Sequence, residues 1–191
     1  MGHVRRLIAF DLDGTLVDSR RDLAESANQL ITELGGAPLS VDAIGRMVGE
    51  GAARLVRRAL AASGADAGIA DAPGALPAAL SRFLEIYDDR LLNHTRAYDG
   101  IADAVLAARR HARVAVLTNK PAGASERILA GLGLRNLFDE VVGGDGPLPR
   151  KPDPAALLAL MERAGATAPN TLLVGDSTID HHTARRASSR C

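Results

Sequence analysis

Two carboxylates, Asp11 and Asp13, stand two residues apart at the end of a short apolar run, Leu7-Ile8-Ala9-Phe10, and Gly14 and Thr15 follow them. If that run is a strand, acids at i and i+2 share one of its faces. Like charges held so close repel, and the pair calls for a cation or a shared proton. Gly14 lets the chain leave the strand by a backbone conformation other residues resist, and it lets N–H groups approach an anion. Carboxylate, cation and anion together suggest phosphate chemistry. Asp and Gly are also ordinary turn residues, so these positions alone read equally well as a polar turn.

Further polar segments follow in order. Thr118-Asn119-Lys120-Pro121 comes directly after an apolar run at 114–117, and Gly175-Asp176-Ser177-Thr178-Ile179-Asp180 after one at 171–174. Lys151-Pro152-Asp153-Pro154 leads into a helical pattern. Ligands of an open parallel sheet gather outside the carboxyl ends of its strands, where all of these segments would stand. Each has a plainer reading: Thr118 and Asn119 as helix caps, Lys151 as a solvated loop lysine, Asp176 as an N-cap. Taken together, the plain readings require independent coincidences at every segment.

The elements that must position these residues follow from periodicity. Apolar runs of strand length occur at 7–10, 114–117, 141–142 and 171–174. A helix capped by Asp18 or Ser19 is predicted to run to about Leu34, where Gly35-Gly36 stops it, and helical patterns continue at 41–47, 52–62 and 75–92. Later the chain alternates: helix at 101–110, strand, helix at 123–132, strand, helix at 154–164, strand. Such alternation gives a parallel sheet with helical crossovers. A first strand parted from its partners by the all-helical span 17–96 predicts an inserted helical domain, hinged near Val17 and Ala97. Residues 64–77 and 143–149, rich in Ala, Gly and Pro, read as loops.

Composition sets the outer bounds. A chain of 191 residues, 47% hydrophobic, can bury one full core with a small accessory domain beside it. Lys plus Arg equals Asp plus Glu at 23 each, so no overall field points to nucleic acid or an anionic membrane. The single Cys191 has no internal disulfide partner, and no apolar run approaches the roughly 20 residues of a membrane span. The apolar stretch before Asp11 is too short for a signal-peptide core, and a cytoplasmic protein is expected. With aromatics at 3% and no Trp, the core must be built from Ala, Leu, Val and Ile.

The ordered set D-L-D-G-T, T-N, K-P-D-P and G-D-S-T-I-D resembles the haloacid dehalogenase superfamily. Its pattern is D-x-D-x-T, a Thr or Ser after the next strand, a Lys and a paired acid motif, and the resemblance covers about 6–184. The segments L-T-N-K-P and R-K-P-D-P, with a helical insert after V-D-S, are similar to the phosphoglycolate phosphatase group. The resemblance implies an α/β fold: an open Rossmann-like parallel sheet with helices on both faces, formed by 1–16 and 97–191, and an all-helical cap or lid over 17–96. It also implies a Mg²⁺-dependent phosphoric monoester hydrolase of carbohydrate metabolism. The expected substrate is a small phosphorylated metabolite, 2-phosphoglycolate foremost; no nucleic-acid or membrane partner is expected, and the protein is expected as a monomer or homodimer.

Roles follow from the resemblance and from the chemistry. A phosphate monoester dianion repels nucleophiles and hydrolyses extremely slowly unaided, so a catalyst must neutralise charge while positioning the attacking group. Asp11 is the expected nucleophile, giving an aspartyl-phosphate that divides the displacement into two easier steps. The resemblance makes Asp13 the general acid and then the base, with its main-chain carbonyl a metal ligand. Gly14 and Thr15 shape the turn. Asp11 and Asp176 would supply carboxylates to Mg²⁺, whose preference is for hard oxygen ligands. Asp180 would hold waters or orient Lys151. Thr118 and Asn119 would donate to phosphoryl oxygens, and Lys151 would offset the shared negative charge. Dehalogenases protonate no departing halide and lack the second acid, so Asp13 disfavours halide chemistry. In the cap, Gly49-Glu50-Gly51 falls where family lids place a substrate loop. Arg46 or Arg54 could pair with a substrate carboxylate, against the plainer reading of a solvated helix face.

One departure stands out. The family continues past the last acid motif with a short helix, another strand and a further helix, whereas here Asp180-His181-His182 leads to Ser188-Ser189-Arg190-Cys191 with no apolar run. A truncation or an altered reading frame is expected to produce such an ending, leaving the strand before Asp176 as an uncovered edge and costing stability. Adjacent histidines on a helix point about 100° apart, so His181, His182 and Cys191 are not read as a metal site. Two alternatives stay open: a sugar-phosphate mutase of the same family, and an inactive or unstable scaffold that binds phosphate or a partner without turnover.

Overall fold

The computed structural model describes residues 5–65 and 74–191. The chain divides into two compact units, Met1–Asp18 with Arg96–Cys191, and Ser19–Thr95.

The first unit is built on four parallel strands: β1 (Leu7–Phe10), β4 (Arg113–Leu117), β5 (Glu140–Val142) and β6 (Thr171–Val174), in the order β5-β4-β1-β6. Central β1 pairs with both neighbours in parallel, Ala9 lying opposite Ala115 on one side and Leu173 on the other. Near-continuous apolar runs suit strands covered on both faces. Crossover helices α5 (Ile101–Arg109), α6 (Ala122–Gly131) and α7 (Ala155–Ala164) separate the strands, and α8 (Thr178–Arg186) follows β6. Leu7, Ala9, Ala115, Leu117 and Leu173 pack with Leu157 and Leu160 of α7 and Ala184 of α8. Strand alternation sends Phe10, Val114 and Val116 to the opposite face, where Phe10 meets Phe138 edge-on, 6.1 Å between centroids.

Two short strands lay below the reach of the sequence pattern. β2 (Val17–Asp18) pairs antiparallel with β3 (Arg96–Ala97), so the chain leaves and re-enters this unit side by side. Two residues are too few to show a period.

The second unit consists, among the described residues, of α1 (Arg20–Glu33), α2 (Val41–Gly45), α3 (Ala52–Ser63) and α4 (Ala75–Asp88). α1 packs on the other three, burying Leu23, Leu30 and Ile31. α4 ends four residues before the predicted 92, in successive turns closed by Arg90 N–H on Tyr87 O and Asn93 N–H on Arg90 O. The loop expected over 64–77 lies partly outside the described residues; Gly64 ends α3 and α4 starts at Ala75. Asp22, fully buried, accepts from the backbone N–H groups of His94 and Thr95 and from the Thr95 hydroxyl, tying the start of the unit to its end.

The outer edge of β6 is not bare as expected. Ser188, at φ 54, reverses the chain after α8. Arg190 then lies against Leu172 in a parallel bridge, its N–H donating to Thr171 O (3.1 Å) and its carbonyl accepting from Leu173 N–H (2.9 Å). A polar tail can do this because ladder bonds need only backbone, so the missing apolar run does not preclude edge pairing.

Candidate active site

All the strand-end segments converge at the carboxyl edge of the sheet. Asp11 extends β1 by one residue, its N–H donating to Val174 O at 2.8 Å. A tight turn follows: Leu12 O accepts from the N–H groups of Thr15, Leu16 and Val17. Leu12 and Leu16 are fully buried, so apolar anchors grip the turn that carries the acids. Gly14, at φ +88, is required twice over. A β-carbon there would be strained by the backbone and would lie 2.2 Å from Asp176 Oδ2.

The segment after β6 is similarly tight. A β-carbon on Gly175 would lie 2.2 Å from Asp180 Cγ. Ser177, rather than Asp176, is the N-cap of α8. Its side chain accepts from Asp180 N–H while the Asp180 carboxylate accepts from Ser177 N–H, a reciprocal capping box. Neither Thr118 nor Asn119 caps a helix, since α6 starts after Pro121. Thr118, 3% exposed, accepts from Lys120 N–H through Oγ1 at 3.2 Å. Asn119 Nδ2 donates to Lys151 O at 2.9 Å and so fixes the loop that delivers this lysine.

Lys151 is the electrostatic centre. Its Nζ lies 2.9 Å from Asp11 Oδ1 and 2.6 Å from Asp180 Oδ1. Asp11 Oδ1 also accepts from Leu12 N–H at 2.7 Å, so two donors converge on one oxygen of that carboxylate. Burial pushes the Asp11 carboxyl up to about 6; Lys151 pulls the other way, and Asp180 and Asp13 add to the rise. Burial by itself would lower the Lys151 ammonium, but Asp11 and Asp180 outweigh it and its pKa lies above the usual value. Asp176 is raised chiefly by burial, with Asp180 adding to it. Thr15 Oγ1 stands 3.5 Å from Asp176 Oδ1.

Asp11, Asp176 and Asp180 offer carboxylate oxygens within 4.8 Å of one another. Such a set of hard, crowded oxygen donors fits a divalent cation of the Mg²⁺ type. Asp180 is fully buried and spends one oxygen on Lys151 and the other on Ser177, which leaves Asp11 and Asp176 as the carboxylates suited to hold the ion.

Other candidates disperse. Asp22, Glu25 and His94 also lie within 4.8 Å, but Asp22 is consumed by backbone donors and Glu25 accepts from Arg21 at 2.9 Å. Arg54 is drawn onto Glu50 together with Arg58. His181 and His182 are exposed, their rings tilted by 52° at 6.1 Å, and they join neither acidic cluster. A recess of about 390 Å³ borders Thr118, Asn119 and Lys151 on the β5 side, but its lining does not include Asp11, Asp13 or Asp176.

One site residue escaped the sequence reading. Lys120 Nζ lies 3.0 and 2.9 Å from the two oxygens of Asp13, and the Lys120 side chain is 5% exposed. A signal was present: of the 23 Lys and Arg residues, only Lys120 and Lys151 are lysines. Both are buried here, and no arginine is buried among the described residues.

Fold and site define the class: the chain belongs to the haloacid dehalogenase-like hydrolase family, which it matches over residues 8–191. Within that class it is 45% identical over 184 residues to the phosphoglycolate phosphatase of Rhodospirillum rubrum, covering 95% of this chain and 76% of that protein. Over 193 residues it is 39% identical to the phosphoglycolate phosphatase of Pseudomonas putida, covering 100% of this chain and 69% of the relative. A crystal structure of a predicted phosphoglycolate phosphatase from Haemophilus somnus superposes with a TM-score of 0.90 at 32% identity, over 98% of this chain and 84% of the other.

Proposed function

We propose that this protein hydrolyses the phosphate monoester of a small metabolite, 2-phosphoglycolate foremost, by double displacement through Asp11. The observation that carries this is the asymmetry of Asp11: Lys151 and Leu12 N–H both occupy Oδ1, which leaves Oδ2 as the oxygen to attack phosphorus. Relatives at 45% and 39% identity that bear the name phosphoglycolate phosphatase support the substrate.

In the first step Asp11 Oδ2 forms a bond to phosphorus as the ester P–O bond breaks, and Asp13 gives its proton to the departing alkoxide. In the second, Asp13 takes a proton from water as the water oxygen bonds to phosphorus and the bond to Asp11 breaks. Each carboxylate ends as it began. Thr118 would donate its hydroxyl hydrogen to a phosphoryl oxygen, a role supported by its own oxygen already accepting from Lys120 N–H. The second amide hydrogen of Asn119 can serve likewise. Lys151 stays on Asp11 and offsets the charge gathered there. Asp11 and Asp176, with the main-chain carbonyl of Asp13, would hold Mg²⁺, which when bound supplies charge neutralisation and alignment for the phosphoryl group. The helical unit, inserted between β2 and β3, is assigned the role of a lid that excludes water and sets specificity.

Asp11→Asn should lower hydrolysis of 2-phosphoglycolate by at least about 10³-fold, since no covalent intermediate can form. Parental rates in that variant would overturn the reading. A screen of phosphorylated metabolites with Mg²⁺, repeated with EDTA, tests substrate and metal. Transfer to a sugar hydroxyl instead of water would identify a mutase.

A further inference from the structure

Lysine is nearly absent from this chain. Wherever the surface carries a side-chain cation the chain uses arginine, and its only two lysines are buried at the candidate site, 7% and 5% exposed. Arginine offers a planar, five-donor fork; an ammonium is a compact charge whose three hydrogens can be shared among close oxygens. Lys151 shows that use on Asp11 and Asp180. Lys120 repeats it on Asp13, with both carboxylate oxygens within 3.0 Å.

Lys120 is itself rigidly held. Its N–H donates to Thr118 Oγ1, and its carbonyl accepts from Gly144 N–H at 2.8 Å, so its backbone is fixed on both sides at the end of β4. A buried ammonium on a half-buried carboxylate costs desolvation and returns it only through good geometry, so the pair is weak evidence for stability and better evidence for placement. Placement is what proton transfer requires, because the acid must stand within hydrogen-bond reach of the leaving oxygen as the P–O bond breaks.

We propose that Lys120 is the positioning residue of Asp13, clamping its carboxyl in the orientation that serves the leaving oxygen and thereby favouring esters of unactivated alcohols. The assignment rests on the phosphatase reading. With three hydrogens, the ammonium holds the carboxylate by both oxygens when it is bare and by one oxygen when the other carries the proton. The clamp therefore persists through the transfer of that proton to the alkoxide and its replacement from water.

The test compares kcat/KM, which reports the steps through release of the first alcohol, for 2-phosphoglycolate and for p-nitrophenyl phosphate, whose phenolate leaves without protonation. Lys120→Met should lower kcat/KM about 100-fold for the alkyl ester and less than about 10-fold for the aryl ester. In an Asp13→Asn background the same substitution should cost less than about 3-fold. Equal losses on both esters, or an undiminished loss in the Asp13→Asn background, would overturn the assignment. Lys120→Gln provides a second variant. The folded parent gives an independent check, since lysine-specific ¹⁵N labelling yields only two side-chain signals: Asp13→Asn should move that of Lys120 and leave that of Lys151 in place. Two unmoved signals would again overturn it. A parent that hydrolyses neither ester refutes the phosphatase reading instead, whereas a parent that hydrolyses both, with Lys120→Met slowing them alike, refutes the Lys120 assignment alone.

Discussion

At the scale of single residues, the site depends on close approaches as much as on charges. Gly14 faces Asp176 so closely that any β-carbon would displace it. Gly14→Ala is expected to reduce activity at least about 100-fold and to weaken divalent-cation binding, read by calorimetric titration, because strain at φ +88 adds to the clash. Asp11 carries a pH signature. Its folded carboxyl titrates near 6 against an ordinary 3.8, so between those values the unfolded chain is already ionised while the folded protein keeps its proton. The unfolded state then binds fewer protons, and the contribution of Asp11 to stability falls as pH rises from about 4 to about 6. Denaturant unfolding in EDTA should therefore show Asp11→Asn gaining on the parent across that window. A constant difference would contradict the burial argument.

At the scale of elements, the acids are delivered by strand ends whose exits are fixed by neighbours. Ser177 and Asp180 cap α8 reciprocally while Asp180 holds Lys151, so the start of one helix sets the orientation of that buried lysine. At the other end of the same helix, Arg190 closes part of the β6 edge with two backbone hydrogen bonds. Arg190→Pro removes the donor to Thr171 O and should destabilise the protein by about 1 kcal/mol, visible as a lowered denaturation midpoint. Arg190→Ala keeps the backbone donor and should change little. Equal effects of the two would show that the side chain, not the ladder, matters.

At the scale of the whole molecule, a divalent cation held by the carboxylate cluster would couple its binding to folding. A cation that binds the folded site and not the unfolded chain stabilises it by about 2.7 kcal/mol at a hundredfold excess over Kd, or about 5–10 °C in Tm for a chain of this size. Mg²⁺ should produce that shift in the parent and a much smaller one in Asp176→Asn, measured by differential scanning fluorimetry. An equal shift in both would exclude Asp176 as a ligand. The sequence by itself determined the parallel strands, the helical insertion and the order of the polar segments, because hydrophobic period, caps and strand-end composition are short-range properties written in neighbouring residues. The two-residue strands β2 and β3, the tail on β6 and the bonding within the site were decided only by tertiary structure. Lys120 meets Asp13 across 107 positions and Lys151 meets Asp180 across 29, and no local pattern specifies such pairs. Packing of the sheet buries both lysines, so each ammonium must find an opposite partner, and the available geometry dictates which.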